Sequence, residues 1–295
     1  MITGLIIWLA VMTTLNLAAQ SVNLQVVTKE VEKKMKYNEG QVLSVEGEKS
    51  EVNIMPWEEN YISIKLKISA QHPERVIAVE DLEHFQYNFE NTADTIFISN
   101  RITAKEKILR SGLQAFYTIM VPKSCKLKLN NYFGSAVLTD LKKGVDIESE
   151  FCNLTLKNVD GQVDINTYFG DLIGIMINGE VDIKADRSNI TLSEIEGKFM
   201  VDAYMGTVKV FANQSLLDMN IKAVKSDVFF YDAKLDGYNF DLTSQYGDIE
   251  VPDKLLASIS KENEIRNVVV KPYGELAGVR VQISVISGNI LLGTR

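Results

Sequence analysis

The chain has 295 residues, 46% hydrophobic and 24% charged, which is enough apolar material for a sizeable core and argues against extended disorder. Its 39 acidic against 31 basic side chains leave a net charge of −8. That balance excludes the basic stripe with which a nucleic-acid or anionic-membrane surface meets phosphates.

The first segment, MITGLIIWLAVMTTLNLAAQS, carries no charged side chain and ends in small residues, with Leu17 and Ala19 placed for cleavage before Gln20. Residues 1–19 therefore read as a signal peptide, and the protein as exported to the periplasm, the outer cell surface or the medium. An uncleaved anchor is the alternative, because about 18 apolar residues can span a bilayer. Thr13, Thr14 and Asn16 argue against it, and only this segment would touch a membrane. Residues 20–40 form a lead-in whose KEVEKKMK run (29–36) mixes both signs and reads as solvated.

From 41 to 295 the pattern is that of strands. EVNIMPW (51–57) with YISIKLKI (61–68), and YTIMVP (117–122) with CKLKL (125–129), alternate apolar and polar residues and read as early turns of a repeat. Between them, HPERVIAVEDLEHF predicts a short helix near 73–85, with Val76, Val79, Leu82 and Phe85 on its inner face and Pro73 in its first turn. It is expected to pack over an end or flank and shield an edge.

NNYFG, NTYFG and DAYMG recur 36 residues apart, but the underlying step is 18. Gly134, Cys152, Gly170, Ser188 and Gly206 form a column of small residues on that step. Val145, Val163, Val181 and Phe199 form a second, and Ile147, Ile165, Ile183 and Val201 a third. Ser149, Thr167, Ala185 and Ala203 form another small column. A unit of this length is too short for a strand–helix crossover, which needs ~30 residues. The pattern predicts an all-β, single-stranded, right-handed parallel β-helix (β-solenoid) with ~18-residue turns, stacked ~4.8 Å apart with apolar columns inside. Glycine is expected to permit the corner. Segments 225–232, 237–251 and 286–292 repeat the pattern more loosely, and the C-terminal SGNILLGTR edge lacks an obvious cap. It is expected to pair with another copy, giving end-to-end self-association, or with 254–280. Cys125 and Cys152 lie one and a half turns apart, on different faces, so a disulfide is not expected.

The order EVNIMPW, helix, YTIMVPKSCKLKLNNYFGSAVL, then G-x-V-x-I and FG/YG turns resembles the bacterial putative-adhesin β-helix family, largely catalogued as a domain of unknown function. The resemblance spans about 40–295. It implies an exported or envelope-associated right-handed β-helix with a provisional adhesion role, and brings no catalytic residues with it.

Chemistry-bearing constellations are sparse. No nucleophile elbow, zinc-protease motif, phosphate-binding loop or CxxC occurs, and His72 and His84 are too far apart along a helix to pair on a metal. No cofactor is implied. Asp146, Asp164 and Asp182 form an outward carboxylate ladder that calcium could bridge, against the plainer reading of a hydrated acidic face. Tyr132, Tyr168 and Tyr204 occupy alternate turns, between them Glu150 and Asp186. They read either as corner packing or as an exposed row that stacks on sugar rings. Asn153 and Asn189 read as corner asparagines rather than glycosylation sites. The functional expectation is a non-enzymatic adhesin, scaffold or interaction module with a protein or glycan partner at the cell surface. The alternative is a polysaccharide-binding or lyase-like β-helix protein, for which the bare 18-residue turns leave little material for groove walls.

Overall fold

The computed structural model of the chain describes residues 23–103, 108–255, 257–262, 264–270 and 278–294. Residues 1–19, read above as a signal peptide, lie outside these residues. Among them the chain is all-β, with one eight-residue α-helix, Arg75–Leu82, and a single 3-10 turn. The strands join one hydrogen-bonded sheet.

The 18-residue step is the register of that sheet. Leu172–Asp186 runs parallel to the preceding strand, Val145–Tyr168, with Val181 beside Val163, Ile183 beside Ile165 and Ala185 beside Thr167. On its other side, Glu196–Tyr204 places Phe199 beside Val181 and Val201 beside Ile183. All eight members of the Val/Ile columns are buried. So are Ser149, Thr167, Ala185 and Ala203, and Ser149 Oγ donates to Thr167 Oγ1 across one step (3.0 Å). Alternation therefore does what the pattern requires: one set of side chains fills a continuous core and the other faces water. A further inward column that the sequence reading passed over, Leu141, Val159, Ile177 and Ile195, is also buried. It adds a short third side to each unit, set off by two tight bends.

One further bend, at Gly134, Gly170 and Gly206, is not made as expected. Gly134, Gly170 and Gly206 do not occupy the left-handed region; the residues before them do, with φ of 58° at Phe133, 54° at Phe169 and 54° at Met205. The same holds at Phe151 (55°) and Arg187 (51°), and a second left-handed column runs through Asp140, Asn158, Met176 and Glu194. Each such residue costs roughly 1–2 kcal/mol relative to a right-handed backbone. Hydrogen bonds offset the cost, because the amides at these bends reach the adjacent unit: Phe169 N donates to Asp186 O (3.0 Å) and Arg187 N to Tyr204 O (2.7 Å). The glycines serve close approach instead. A Cβ on Gly170 would stand 1.9 Å from Cys152 O. Side chains stabilise the same bend in a ladder. Asn153 Oδ1 accepts from Asp171 N (3.1 Å), Asn189 Nδ2 donates to Asp171 Oδ1 (3.0 Å), and Asn189 Oδ1 accepts from Thr207 N (3.1 Å).

Spatial order departs from chain order at both ends. Val42–Glu48 lies between Thr95–Ile102 and Lys126–Thr139, parallel to both. Ser50–Trp57 likewise lies between Gly112–Pro122 and the second half of Lys126–Thr139. At the other end Val279–Ile286 is inserted between Leu216–Val224 and Tyr238–Gln245, and Ile290–Gly293 between Asp227–Tyr231 and Ile249–Glu250. The asparagine ladder follows this permuted order, through Asn289 N to Asp227 Oδ1 (2.8 Å) and Asp248 N to Asn289 Oδ1 (2.9 Å).

The expectation of successive turns in chain order at 51–68 and 286–292 is therefore corrected. So is that of an uncapped C-terminal edge. Antiparallel strands cover both ends: Tyr61–His72 lies on Gly112–Pro122 and Gln25–Lys36 on Tyr61–His72, while Ile265–Val270 lies on Tyr238–Gln245 with Ala257–Glu262 beyond. The lead-in is thus an edge strand, and its alternating charges guard it against further pairing.

The helix flanks this N-terminal cover, as expected, but turns a different face inward. Val76 and Val79 are exposed, whereas Ile77, Ala78 and Asp81 are buried. Pro73 precedes the helix, whose N-cap is Glu74, and Phe85 opens the next strand. Ala78 packs with Ala70 and Leu113, and Asp81 Oδ2 accepts from the amides of Arg110 and Ser111 (2.9 and 2.8 Å). Small residues let the helix lie close to the sheet, so the contact needs no valine stripe.

Candidate functional site

The bend after each first strand projects two adjacent side chains outward, and the fixed register lines them up along the molecule. In the left-handed column, Phe133 and Phe151 stack with centroids 4.9 Å apart and planes 1° apart. Phe151 and Phe169 stack at 4.8 Å and 6°. The Arg187 guanidinium then sits 5.0 Å from the Phe169 centroid, where an attractive cation–π contact closes the stack. These rings are about half exposed (53, 47 and 42%), so the ladder is a surface feature and not a piece of core.

One residue earlier in each unit come Tyr132, Tyr168 and Tyr204, on alternate steps. Tyr132 lies beside Glu150, and Asp186 lies between Tyr168 and Tyr204. All three are exposed, by 38, 47 and 37%. The phenylalanines one position further on are exposed as well as the tyrosines. The signal for the phenylalanine ladder was present in the 133/151/169 column, but nothing in it says which side chain faces water at a left-handed residue.

Between Tyr168 and Tyr204 opens a cleft of about 410 Å³, lined also by Lys184, Asp186, Asp202, Lys222, Ala185, Ala203 and Val224. That volume falls within the range of small-ligand sites. Lys225 Nζ lies 5.9 Å from the Tyr204 ring, and Arg187 Nη1 pairs with Asp186 Oδ1 (3.4 Å). The cleft therefore offers two aromatic walls with two ammonium and two carboxylate groups around them.

Asp146, Asp164 and Asp182 do share one outward column. Lys128 Nζ pairs with Asp146 Oδ2 (3.5 Å), and Gln162 Nε2 donates to Asp164 Oδ2 (2.9 Å). Asp182 has Met200 on its other side. Among the described residues no group of three or more His, Cys, Asp or Glu side chains is arranged to hold a metal ion. The histidines serve the ends of the helix: His72 Nδ1 accepts from Glu74 N (3.0 Å), and His84 Nδ1 lies 3.1 Å from Thr103 O.

Both cysteines are free and buried. Burial pushes the Cys125 thiol up to about 12 and the Cys152 thiol up to about 11. Cys152 stands where Ser50, Ser188 and Ser226 stand in other units, and donates to Glu150 O (3.2 Å) as Ser188 Oγ does to Asp186 O (3.0 Å).

No family model matches the chain, and no curated protein does. Among solved structures it is similar to a putative adhesin from Parabacteroides distasonis (13% identity, TM-score 0.48), covering 90% of this chain and 97% of that one. A putative adhesin from Parabacteroides merdae is similar at 13% identity and TM-score 0.45, with 90 and 96% covered. A putative lipid binding protein from Parabacteroides distasonis is similar at 11% identity and TM-score 0.45, with the same coverage. Putative adhesins thus stand among the structural neighbours, as the sequence resemblance implied. At these identities and scores the likeness says nothing of what this chain binds.

Proposed function

We propose that the chain is an exported, right-handed parallel β-helix that acts at the cell envelope as a non-enzymatic, adhesin-like interaction module, its partner a protein or glycan of the cell surface. The observation that carries this reading is the exposed double row formed by Tyr132, Tyr168 and Tyr204 beside Phe133, Phe151 and Phe169. Soluble proteins seldom leave a contiguous aromatic surface uncovered unless it recognises something. Parallel pairing at an 18-residue step, with three bends per unit, supports the helical winding, and the general preference of parallel crossovers supports its hand. Both histidines are engaged by backbone at the ends of the helix, which supports a role without turnover.

The polysaccharide-binding alternative is favoured by one feature, the cleft between Tyr168 and Tyr204. A glycan array and an envelope-fraction binding assay on residues 23–295 test the proposal. Selective binding that disappears in a folded Tyr132→Ala/Tyr168→Ala/Tyr204→Ala variant supports it. Binding indifferent to the row, or turnover of any polysaccharide, sinks it.

A further inference from the structure

We propose that the cleft between Tyr168 and Tyr204 binds a small organic anion, a compact molecule carrying a carboxylate or a phosphate, with Lys184 and Lys222 holding the charged group. The proposal rests on the reading of this face as an interaction surface and adds the charge of its ligand.

The register sets the charges. Lys184, Asp202 and Lys222 are lateral neighbours in one outward column, so a single carboxylate stands between two ammonium groups. Among the described residues none of these three takes part in an ion pair. Asp186 has its own partner in Arg187 (3.4 Å). Lys225 lies over the Tyr204 ring, 5.9 Å from its centroid, so that wall already bears a cation. The full count is therefore four cations, Lys184, Arg187, Lys222 and Lys225, against Asp186 and Asp202. Asp182, two residues before Lys184 on the same face, raises the carboxylates to three, and the excess stays positive.

That excess is local. The chain as a whole carries −8, but at physiological salt an exposed charge is felt over only ~8 Å. Glu148 and Glu150 belong to the unit before that of Tyr168, two and a half steps or ~12 Å from the middle of the cleft. On the other side Ser284 and Ile286 lie beside Lys222 and Val224 and carry no charge. A second cleft on the same strands, about 370 Å³, has the opposite sign: Asp164, Glu180, Asp182 and Asp218 against Lys198 and Arg280. Its cations are committed, Lys198 to Glu180 (3.7 Å) and Arg280 to Asp218 (3.2 Å). One face of the sheet thus separates a basic cleft from an acidic one, and an anion is favoured in the first alone. Val224 and the two tyrosines supply apolar surface beside the lysines, which a bare ion would leave unused.

The test is a ligand-observed NMR titration of residues 23–295 with galacturonate, glucose 6-phosphate, inorganic phosphate, glucose and glucosamine. Galacturonate or glucose 6-phosphate is expected to bind, and which of them does so separates a carboxylate site from a phosphate site. Glucose and glucosamine should bind roughly tenfold more weakly or not at all. Lys184→Gln and Lys222→Gln should each weaken the anion roughly threefold, the worth of one exposed charge pair, and Asp202→Asn should strengthen it by a similar factor. Lys198→Gln, in the acidic cleft, should change nothing; circular dichroism and melting temperature show that the variants fold. Glucose or glucosamine bound as tightly as the anions, or inorganic phosphate as tightly as either organic anion, would overturn the proposal. So would lysine variants without effect, an Asp202→Asn variant that binds more weakly, or no binding of any anion at about 20 mM. If the tyrosine row then still governs capture of a neutral glycan or of a protein in the array and envelope assays, the interaction-surface reading stands without this ligand. If the row governs nothing, both fall.

Discussion

Replacing Gly170 by alanine separates two explanations of the recurring glycine. If glycine were there for a left-handed corner, alanine would cost only roughly 1–2 kcal/mol. The structure instead puts the left-handed φ on Phe169 and sets Gly170 against the backbone of the preceding unit, where an added Cβ would lie 1.9 Å from Cys152 O and 2.6 Å from Cys152 C. Ordinary contact begins near 3.4 Å, so the two units would have to part by about 1.5 Å. The bonds beside the contact, Leu154 N to Asp171 O (2.8 Å) and Asp171 N to Asn153 Oδ1 (3.1 Å), would not survive that displacement. Two lost hydrogen bonds at about 1 kcal/mol each, with about 1–3 kcal/mol for overpacking, give a destabilisation of about 3–5 kcal/mol. In a domain of this size that lowers the melting temperature by roughly 6–20 °C. Urea and thermal unfolding of residues 23–295, followed by circular dichroism, would measure it. Cys152→Ala is the control, because that position already carries a Cβ, and should cost no more than about 1 kcal/mol. A Gly170→Ala variant as stable as Cys152→Ala would refute the close-approach argument.

Val163→Asp and Ile183→Asp place a carboxylate in a position with 0 and 1% exposure, and each should cost about 4 kcal/mol or more or prevent folding; unchanged melting would reverse the inward assignment. The thiols should resist a thiol reagent at pH 8 in the folded protein and react only on denaturation, since burial raises both above the ordinary value of 9.0. Because the folded-state thiols hold their protons more tightly than the unfolded ones, their contribution to stability is full below about pH 9 and is lost as pH rises through about 11–12. Urea midpoints should fall over that window, and a midpoint that rises there would contradict the burial. Millimolar calcium should leave the melting temperature unchanged, since Lys128 and Gln162 already engage Asp146 and Asp164; a rise of several degrees would assign a metal site to the aspartate column.

The middle of the molecule was legible because its repeat is strict. From Val145 to Phe199 each inward side chain recurs at the same step, and a one-residue slip would turn the whole set outward. The ends were not, because alternation marks a residue's face and not its neighbour. Val42–Glu48 and Val279–Ile286 carry the same pattern wherever they insert, so nothing local distinguishes a second turn from a first. The helix was half legible: Leu82 packs against the core and Phe85, just beyond the helix, is buried, but Ile77, Ala78 and Asp81 take the inner face in place of Val76 and Val79. At the candidate site, the 18-residue step placed Tyr132, Tyr168 and Tyr204 in one row in advance. The exposure of Phe133, Phe151 and Phe169 follows from a backbone conformation that bulky side chains seldom adopt, and no residue preference announces it.

The tyrosine row exists only if the 18-residue register holds. That register can be measured by engineered cysteines, with Cys125 and Cys152 replaced by serine. Asn166 and Lys184 are lateral partners, about 4.8 Å apart and within disulfide range, whereas Asn166 and Asp182 are offset by two residues and roughly 8 Å apart. Mild oxidation should close a disulfide in the Asn166→Cys/Lys184→Cys variant and not in Asn166→Cys/Asp182→Cys. Cross-linking that is equal in the two, or that favours the second, would contradict the 18-residue register and dissolve the row.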